Sequence, residues 1–201
     1  MALELGRPLR FESLFRMAAR GVTLARVTHA AGLSSTRDTA LDARLPVAER
    51  YELNEENAAR LRRVQACGGR IIAVGTSVTR ALEAASMSGT LRAGTRRTDL
   101  LLGPGSLLRA CDGLLTGLHE PSTSHFALLE AYAPRKLLDR SFRHAQRQGY
   151  LQHEFGDSCL ILKGSLDGTG EVSRAYERRR AAGAVEHSGM APSGLGRCYA
   201  R

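Results

Sequence analysis

The sequence predicts an α/β fold in which a partial layered sheet is flanked by helices. Along residues 9–163, helical segments alternate with short apolar runs, which is typical of strands packed against helices. The segment 70–75 is continuously apolar after its first residue, as expected of a buried parallel strand. Aromatic residues make up only 5% of the chain and tryptophan is absent, so the core must be built from aliphatic side chains.

The first half of the chain is predicted to contain two helices and two strands. Apolar residues at helical spacing indicate a short helix within 9–20, which Gly21 ends. A β-rich run then predicts a strand over 22–28, and a second short strand is expected over 47–53. Asn54 caps the next helix, which runs to about residue 66.

The second half repeats this alternation. The strand at 70–75 leads into a helix that Thr76 or Ser77 caps. A strand is expected over 99–102, and a last core strand over 159–163. Between them, helices are predicted over 122–133 and 134–148, because Pro134 suits a first helical position.

Charge and composition divide the chain into an α/β domain, 1–163, and a disordered or loosely packed tail, 164–201. The net charge is +9, of which +7 lies in the domain, and this favours an anionic partner such as nucleic acid. The 27 arginines against 2 lysines fit either forked phosphate recognition or GC-rich codon usage. No apolar run approaches the roughly 20 residues of a membrane span, so we expect a cytoplasmic protein with no membrane contact.

One candidate site follows the strand at 70–75. This strand ends at Gly75 and a helix begins at Thr76, where free backbone N–H groups would hold an anion or a polar ligand. Arg80 and Glu83 lie three residues apart on one face of that helix, so they can pair or both face a ligand. The alternative interpretation is a plain helix cap with a surface ion pair.

A second candidate site lies within 112–125, where His119 and Glu120 are adjacent and His125 follows. Imidazole beside carboxylate suits proton transfer, although histidines that only cap and hydrogen-bond the loop would show the same pattern.

A third polar segment, 153–157, ends in Asp157 and either completes a cavity or caps the next strand. The four cysteines are too widely spaced for a zinc module, and no metal is expected.

Five blocks, taken in order, resemble the S-adenosylmethionine:tRNA ribosyltransferase-isomerase family of queuosine biosynthesis. They lie at residues 6–9, 27–35, 69–83, 112–121 and 153–162. His119 and Pro121 agree with the family's pattern, whereas the lysine that follows them in the family is absent here. The resemblance implies the C-terminal part of the family's α/β domain without its N-terminal strands and inserted β-barrel, and a protein partner that supplies the missing strands.

The resemblance also implies a reaction. The family transfers and isomerises the ribosyl moiety of S-adenosylmethionine onto a 7-deazaguanine base in tRNA, and adenine and methionine leave. By this resemblance S-adenosylmethionine is a substrate, bound by Gly75, Thr76, Arg80 and Glu83, with Arg80 on its methionine carboxylate. His119 and Glu120 transfer protons, and Asp157 supports the site.

Two other functions stay open at this point. The first is a catalytically incomplete member of the family that binds RNA or a partner, because a missing barrel predicts activity that is lost or partner-dependent. The second is an ordinary S-adenosylmethionine methyltransferase, which the sequence disfavours because it lacks a glycine-rich loop and an acidic ribose-binding residue.

Overall fold

The computed structural model describes residues 9–30, 48–121, 123–151 and 156–163. In these residues the chain forms five helices and six strands, and the strands divide between two three-stranded sheets. The mixed α/β class is therefore confirmed, with two small sheets where the sequence indicated one. The tail 164–201 lies outside the described residues, as do His153 and Glu154.

The first sheet is antiparallel throughout, with the strand order β1-β2-β4. Its strands are β1 (Thr28–Ala30), β2 (Glu49–Leu53) and β4 (Gly94–Thr98), and helix α1 (Phe11–Ala19) precedes it in the chain. The predicted strand over 22–28 was wrong except for its last residue, because pairing with β2 begins only at Thr28. The strand expected over 99–102 was also wrong: pairing with β2 selects the polar segment just before it.

The second sheet is mixed, with the strand order β3-β5-β6. Its strands are β3 (Ile72–Val74), β5 (Gly113–Gly117) and β6 (Ser158–Leu162). β5 runs parallel to β3 and antiparallel to β6. On one face of this sheet Ala73, Leu114 and Ile161 are buried and join the hydrophobic core.

The remaining helices are α2 (Glu55–Ala66), α3 (Thr76–Ala85), α4 (Ser124–Leu129) and α5 (Arg135–Arg147). The predicted cap of α2 is confirmed, because the Asn54 side chain accepts a hydrogen bond from the backbone N–H of Asn57 at 2.9 Å. Thr123 caps α4 in the same way. None of the helices in the described part of the chain has the length and apolar character needed to cross a bilayer.

Helix α3 lies between the two sheets. It contacts β1 and β4 of the first sheet and β3 and β5 of the second, and five of its residues are buried: Thr79, Ala81, Leu82, Glu83 and Ala85. Because α3 begins where β3 ends, its N-terminus lies at the same edge of the second sheet as the carboxyl end of the parallel strand β5.

Candidate functional site

The site is built on the turn between β3 and α3. Gly75 occupies this turn with φ +99°, a backbone conformation that side chains other than glycine rarely adopt. Its N–H donates to the Leu115 carbonyl at 2.9 Å, so the turn stays attached to β5. The N-terminal turn of α3 consequently opens at the carboxyl ends of parallel strands, the edge of an α/β sheet where ligands bind.

Four polar side chains meet at this edge, and we call Thr76, Thr116, His119 and His125 the histidine cluster. Thr116 Oγ1 lies 2.7 Å from His119 Nε2, within hydrogen-bond distance. The rings of His119 and His125 are tilted against one another with their centroids 5.1 Å apart. His125 Nδ1 lies 3.5 Å from Thr76 Oγ1. The cluster therefore joins the end of β5, the loop after it, and the first turns of α4 and α3.

The electrostatics of the cluster favour a neutral imidazole. Burial and, to a smaller extent, the neighbouring His125 together lower the pKa of His119 from 6.5 to about 4. At neutral pH His119 is therefore uncharged. A neutral ring can accept a proton through a nitrogen atom, and it does not repel a cation placed beside it.

Arg80 lies one turn after Thr76 on the same side of α3. Its guanidinium makes a largely buried ion pair with Glu49 of β2, with Nη1 and Oε2 2.8 Å apart. Nε donates to the carbonyl of Leu100 at 3.0 Å. In the described part of the chain, Nη2 is buried and has no hydrogen-bond partner. Arg80 thus has its partners in and beside the first sheet and does not pair with Glu83.

Glu83 is directed into the interior and is only 2% exposed. Its two carboxylate oxygens accept hydrogen bonds from three successive backbone N–H groups, those of Arg109, Ala110 and Cys111, at 2.6, 3.0 and 2.8 Å. Burial and the Glu83 carboxylate both raise the pKa of the Cys111 thiol, which stays protonated. Glu83 therefore fixes the segment that leads into β5.

The other two predicted site residues lie at its borders. Glu120 is exposed, and its backbone carbonyl accepts from the Thr123 hydroxyl at 2.8 Å. Asp157 forms a reciprocal pair with Leu151: Oδ2 accepts from the Leu151 N–H at 2.9 Å, and the Asp157 N–H donates to the Leu151 carbonyl at 2.9 Å. These bonds hold Asp157 at the turn before β6, the strand whose first residue, Ser158, pairs with Gly117 at the end of β5.

The structure thus brings Gly75, Thr76 and His119 to one edge, while Glu83 and Asp157 anchor backbone on either side of β5. Sequence analysis placed His125 with His119 and Glu120 in the second candidate segment, 112–125, which also contains Thr116, but it did not predict the contacts that Thr116 and His125 make. The spacing of three residues between Thr116 and His119 at the end of a strand was the one signal that could have joined them. The part of the chain described by the structure contains no group of three or more histidine, cysteine or acidic side chains that could hold a metal ion.

Comparison with known proteins gives a family match over most of the chain. The family model described as "Queuosine biosynthesis protein" matches residues 4–161. A protein of Symbiobacterium thermophilum, named S-adenosylmethionine:tRNA ribosyltransferase-isomerase, is 38% identical over 155 residues, which are 75% of this chain and 46% of the relative. A protein of the same name from Anaeromyxobacter dehalogenans is 37% identical over 153 residues, 75% of this chain and 44% of the relative.

A solved structure is similar over the same share of the chain. The crystal structure of S-adenosylmethionine tRNA ribosyltransferase from Thermotoga maritima superimposes with a TM-score of 0.65 at 27% sequence identity. The match covers 76% of this chain and 50% of that chain. The present chain therefore spans about half the length of the relatives it matches.

Proposed function

The chain belongs to the queuosine biosynthesis protein family, and from this premise we propose that it carries the ribosyl-transfer site of an S-adenosylmethionine:tRNA ribosyltransferase-isomerase. The reaction moves the ribosyl moiety of S-adenosylmethionine to a 7-deazaguanine base in tRNA and isomerises it, releasing adenine and methionine. One observation carries the proposal: the histidine cluster meets the N-terminus of α3 at the carboxyl edge of β3 and β5.

The neutral state of His119 supports a sulfonium substrate. S-Adenosylmethionine carries a positive charge on sulfur, and a protonated imidazole beside it would repel that charge. Because burial and His125 keep the pKa of His119 near 4, the ring is uncharged and can accept the proton that is removed beside the sulfonium. Thr116 orients the ring through its bond to Nε2.

The substrate lies, in this proposal, against the first turn of α3. The backbone at Gly75 and the hydroxyl of Thr76 contact its polar groups, because the first amides of a helix lack intrahelical partners. Arg80 binds the methionine carboxylate through Nη2, the guanidinium nitrogen that has no protein partner in the described residues. Glu83 does not contact the substrate in this proposal. It supports the site indirectly, because its carboxylate accepts hydrogen bonds from the backbone amides of residues 109–111.

One carboxylate, that of Glu120, completes the proposed proton path, and a second, that of Asp157, supports the site. Glu120 follows His119 directly and is exposed, so it exchanges the proton with solvent and supplies the acid for the departing adenine. Asp157 holds the turn before β6 through its reciprocal bonds with Leu151. We place it as a support of the site. The net charge of +9 suits the phosphates of tRNA.

The chain matches less than half of the length of the Symbiobacterium thermophilum relative. This partial coverage favours a second candidate function. The match covers only 46% of the Symbiobacterium thermophilum relative, and the strained intermediate of the proposed reaction must be covered by protein that excludes water. In the first function, a protein partner supplies that cover and activity depends on it. In the second, the chain is catalytically incomplete and binds RNA or a partner without turnover.

Adenine release from S-adenosylmethionine, in the presence of substrate tRNA, tests the proposed activity. The assay is run on the chain alone and on the chain co-expressed with the part of the Symbiobacterium thermophilum relative that it does not match. Calorimetry with S-adenosylmethionine measures binding separately. We expect binding and adenine release in the co-expressed sample.

A matched pair of variants assigns the activity to the histidine cluster. We expect His119→Ala to lower kcat at least about 100-fold, the usual contribution of general acid–base catalysis. His144→Ala, an exposed histidine on α5, should leave kcat unchanged. If neither sample releases adenine while the full-length relative does, the second function is correct for this chain.

A further inference from the structure

Helix α5 has two faces of opposite character. Leu138 and Phe142 are 3% and 4% exposed, and the ring of Phe142 packs edge-on against Phe126 of α4, with the ring centroids 5.5 Å apart. The apolar face of α5 therefore packs into the core. The opposite face is exposed and basic. Its cations, which we call the basic stripe, are Lys136, Arg140, Arg143 and Arg147.

The cations of the basic stripe follow one another at intervals of four, three and four residues. With about 3.6 residues per helical turn, they lie within about 60° of one another around the helix axis and extend over about 16 Å along it. In the described part of the chain, the ion pairs of α5 both belong to Arg135, whose guanidinium contacts Glu130 and Asp139. Among these residues the basic stripe therefore has no acidic partner.

Helix stability does not account for these charges. Cations three or four residues apart on one helix face repel one another, and each successive pair in the basic stripe has this spacing. Lys136 lies in the first turn of α5, which contains no acidic residue, so it also opposes the positive end of the helix dipole. Residues that work against local stability are expected at functional surfaces. An anionic ligand on the basic stripe would offset this repulsion.

The basic stripe begins beside the candidate site. At the start of α5, Arg135 Nη2 donates to the carbonyl of Pro121 at 3.3 Å. Pro121 ends the short loop that contains His119 of the histidine cluster. A polyanion bound along the basic stripe would therefore extend from the edge of the site to the far end of α5.

The chemistry of the basic stripe favours RNA over a membrane or a protein. A helix that binds a membrane surface inserts a free apolar face, whereas Leu138 and Phe142 are buried within this chain. A protein interface has an apolar centre, whereas every exposed residue of α5 is polar or charged. Three of the four cations are arginines, whose guanidinium binds phosphate through two N–H groups.

We propose that the basic stripe binds the phosphate backbone of the RNA on which the candidate site acts, without reading its sequence. The inference rests on the proposed function for the identity of that RNA, and it adds the surface that holds it. Phosphate contacts fix the position and orientation of a nucleic acid on a protein. The basic stripe therefore holds one strand along α5 while the target base reaches the histidine cluster.

The test measures binding of a labelled transcript of the substrate tRNA to the full chain by fluorescence anisotropy, without S-adenosylmethionine and at several salt concentrations. The double variant Arg140→Gln, Arg143→Gln should weaken binding at least about tenfold and lower the slope of log K against log salt by about 2. An unrelated tRNA transcript should show the same loss, because every RNA has the same backbone. Arg140→Lys with Arg143→Lys keeps both charges and should retain most of the affinity.

The double variant Arg63→Gln, Arg92→Gln is the matched control. It removes the same charge at two exposed arginines outside α5 and should weaken binding less than about twofold. The glutamine variant of α5 should be at least as stable to heat as the wild-type chain, because it removes repulsion. If it unfolds instead, the comparison is made with the other two cations, Lys136→Gln and Arg147→Gln.

Each result decides the proposal. The inference is overturned if the wild-type chain does not bind the transcript or if the two glutamine double variants weaken binding equally. It is also overturned if the α5 variant binds the transcript like the wild-type chain, as a stripe that serves an acidic protein would predict. Loss of RNA binding in a chain that releases no adenine rejects the proposed activity and leaves the RNA surface intact. Adenine release with unchanged RNA affinity in the α5 variant does the reverse.

Discussion

Helices α1 and α3 are nearly the same length, yet they lie in opposite environments. α3 has five buried residues out of ten, and it contacts strands of both sheets. α1 has no buried residue out of nine, and Phe11 and Phe15 are 69% and 73% exposed. Both have an apolar face at helical spacing. The pattern therefore predicts a helix in each case, but it does not identify what the apolar face packs against.

The comparison also separates two sources of helix stability. Short isolated helices are marginal in water, and most helical stability in proteins comes from tertiary packing. α3 gains that packing and in addition anchors two distant segments, through Arg80 to Glu49 and through Glu83 to residues 109–111. Substitutions in α3 should therefore change the stability of the whole chain, whereas substitutions in α1 should not.

The largest effect is expected from Glu83→Ala. It removes the acceptor of three backbone N–H groups near the core, and unsatisfied buried donors each cost about 1 to 3 kcal/mol. We expect a loss of about 3 to 5 kcal/mol in the free energy of unfolding, measured by urea denaturation. Glu83→Gln keeps one acceptor oxygen and should lose less. Equal stability of both variants and wild type would show that α3 is no better anchored than α1.

A smaller effect is expected from Arg80→Met, which removes the ion pair between α3 and Glu49 of the first sheet. The two side chains are only 12% and 11% exposed, and breaking an ion pair this buried is destabilising. We expect a loss of about 2 kcal/mol, and the double variant with Glu49→Leu should recover part of it. A double-mutant cycle measures the coupling; zero coupling would contradict the contact.

The histidine cluster beside the N-terminus of α3 should make the free energy of unfolding depend on pH, whereas α1 has no such cluster beside it in the described residues. The pKa of His119 falls from 6.5 to about 4 on folding, so the unfolded chain takes up the proton first as pH falls. Stability should therefore decrease between about pH 6.5 and 4, by about 1 to 2 kcal/mol after allowance for solvent screening. His119→Asn should make this decrease shallower, as followed by denaturation at several pH values. An unchanged slope would contradict the lowered pKa.

The smallest effect is expected from Phe15→Ser on α1. Because Phe15 is 73% exposed, its removal should change the free energy of unfolding by less than about 0.5 kcal/mol. Leu82→Ser on α3, where the side chain is 3% exposed, is the matched control and should be strongly destabilising. A large loss from the change on α1 would mean that its apolar face has a partner within the chain.

Elements with local signals could be predicted, and those that depend on distant pairing could not. Asn54 and the helix that follows it are specified by a side-chain cap that lies beside the amides it binds. β4 is polar and mostly exposed, and it exists because its backbone pairs with β2. No alternation of apolar residues indicates such a strand, and the prediction fell on the apolar residues just after it.

The same distinction holds in the site. His119 was predicted because it stands directly before Glu120 and agrees with the family's pattern, and the structure places it at the sheet edge beside His125. The role of Glu83 could not be predicted, because its partners are backbone amides 26 to 28 residues further along the chain. Backbone groups are the same at every residue, so sequence contains no signal for them.

The order of strands along the chain has a consequence for how the protein assembles. The first sheet takes strands one, two and four, and the second takes three, five and six, so each is interrupted by a member of the other. A single cleavage of the backbone cannot release either sheet as an independent folding unit. During synthesis the first sheet cannot be completed until β4 has been made, and β4 follows β3 in the chain. We therefore expect both sheets to form and to unfold in one cooperative transition.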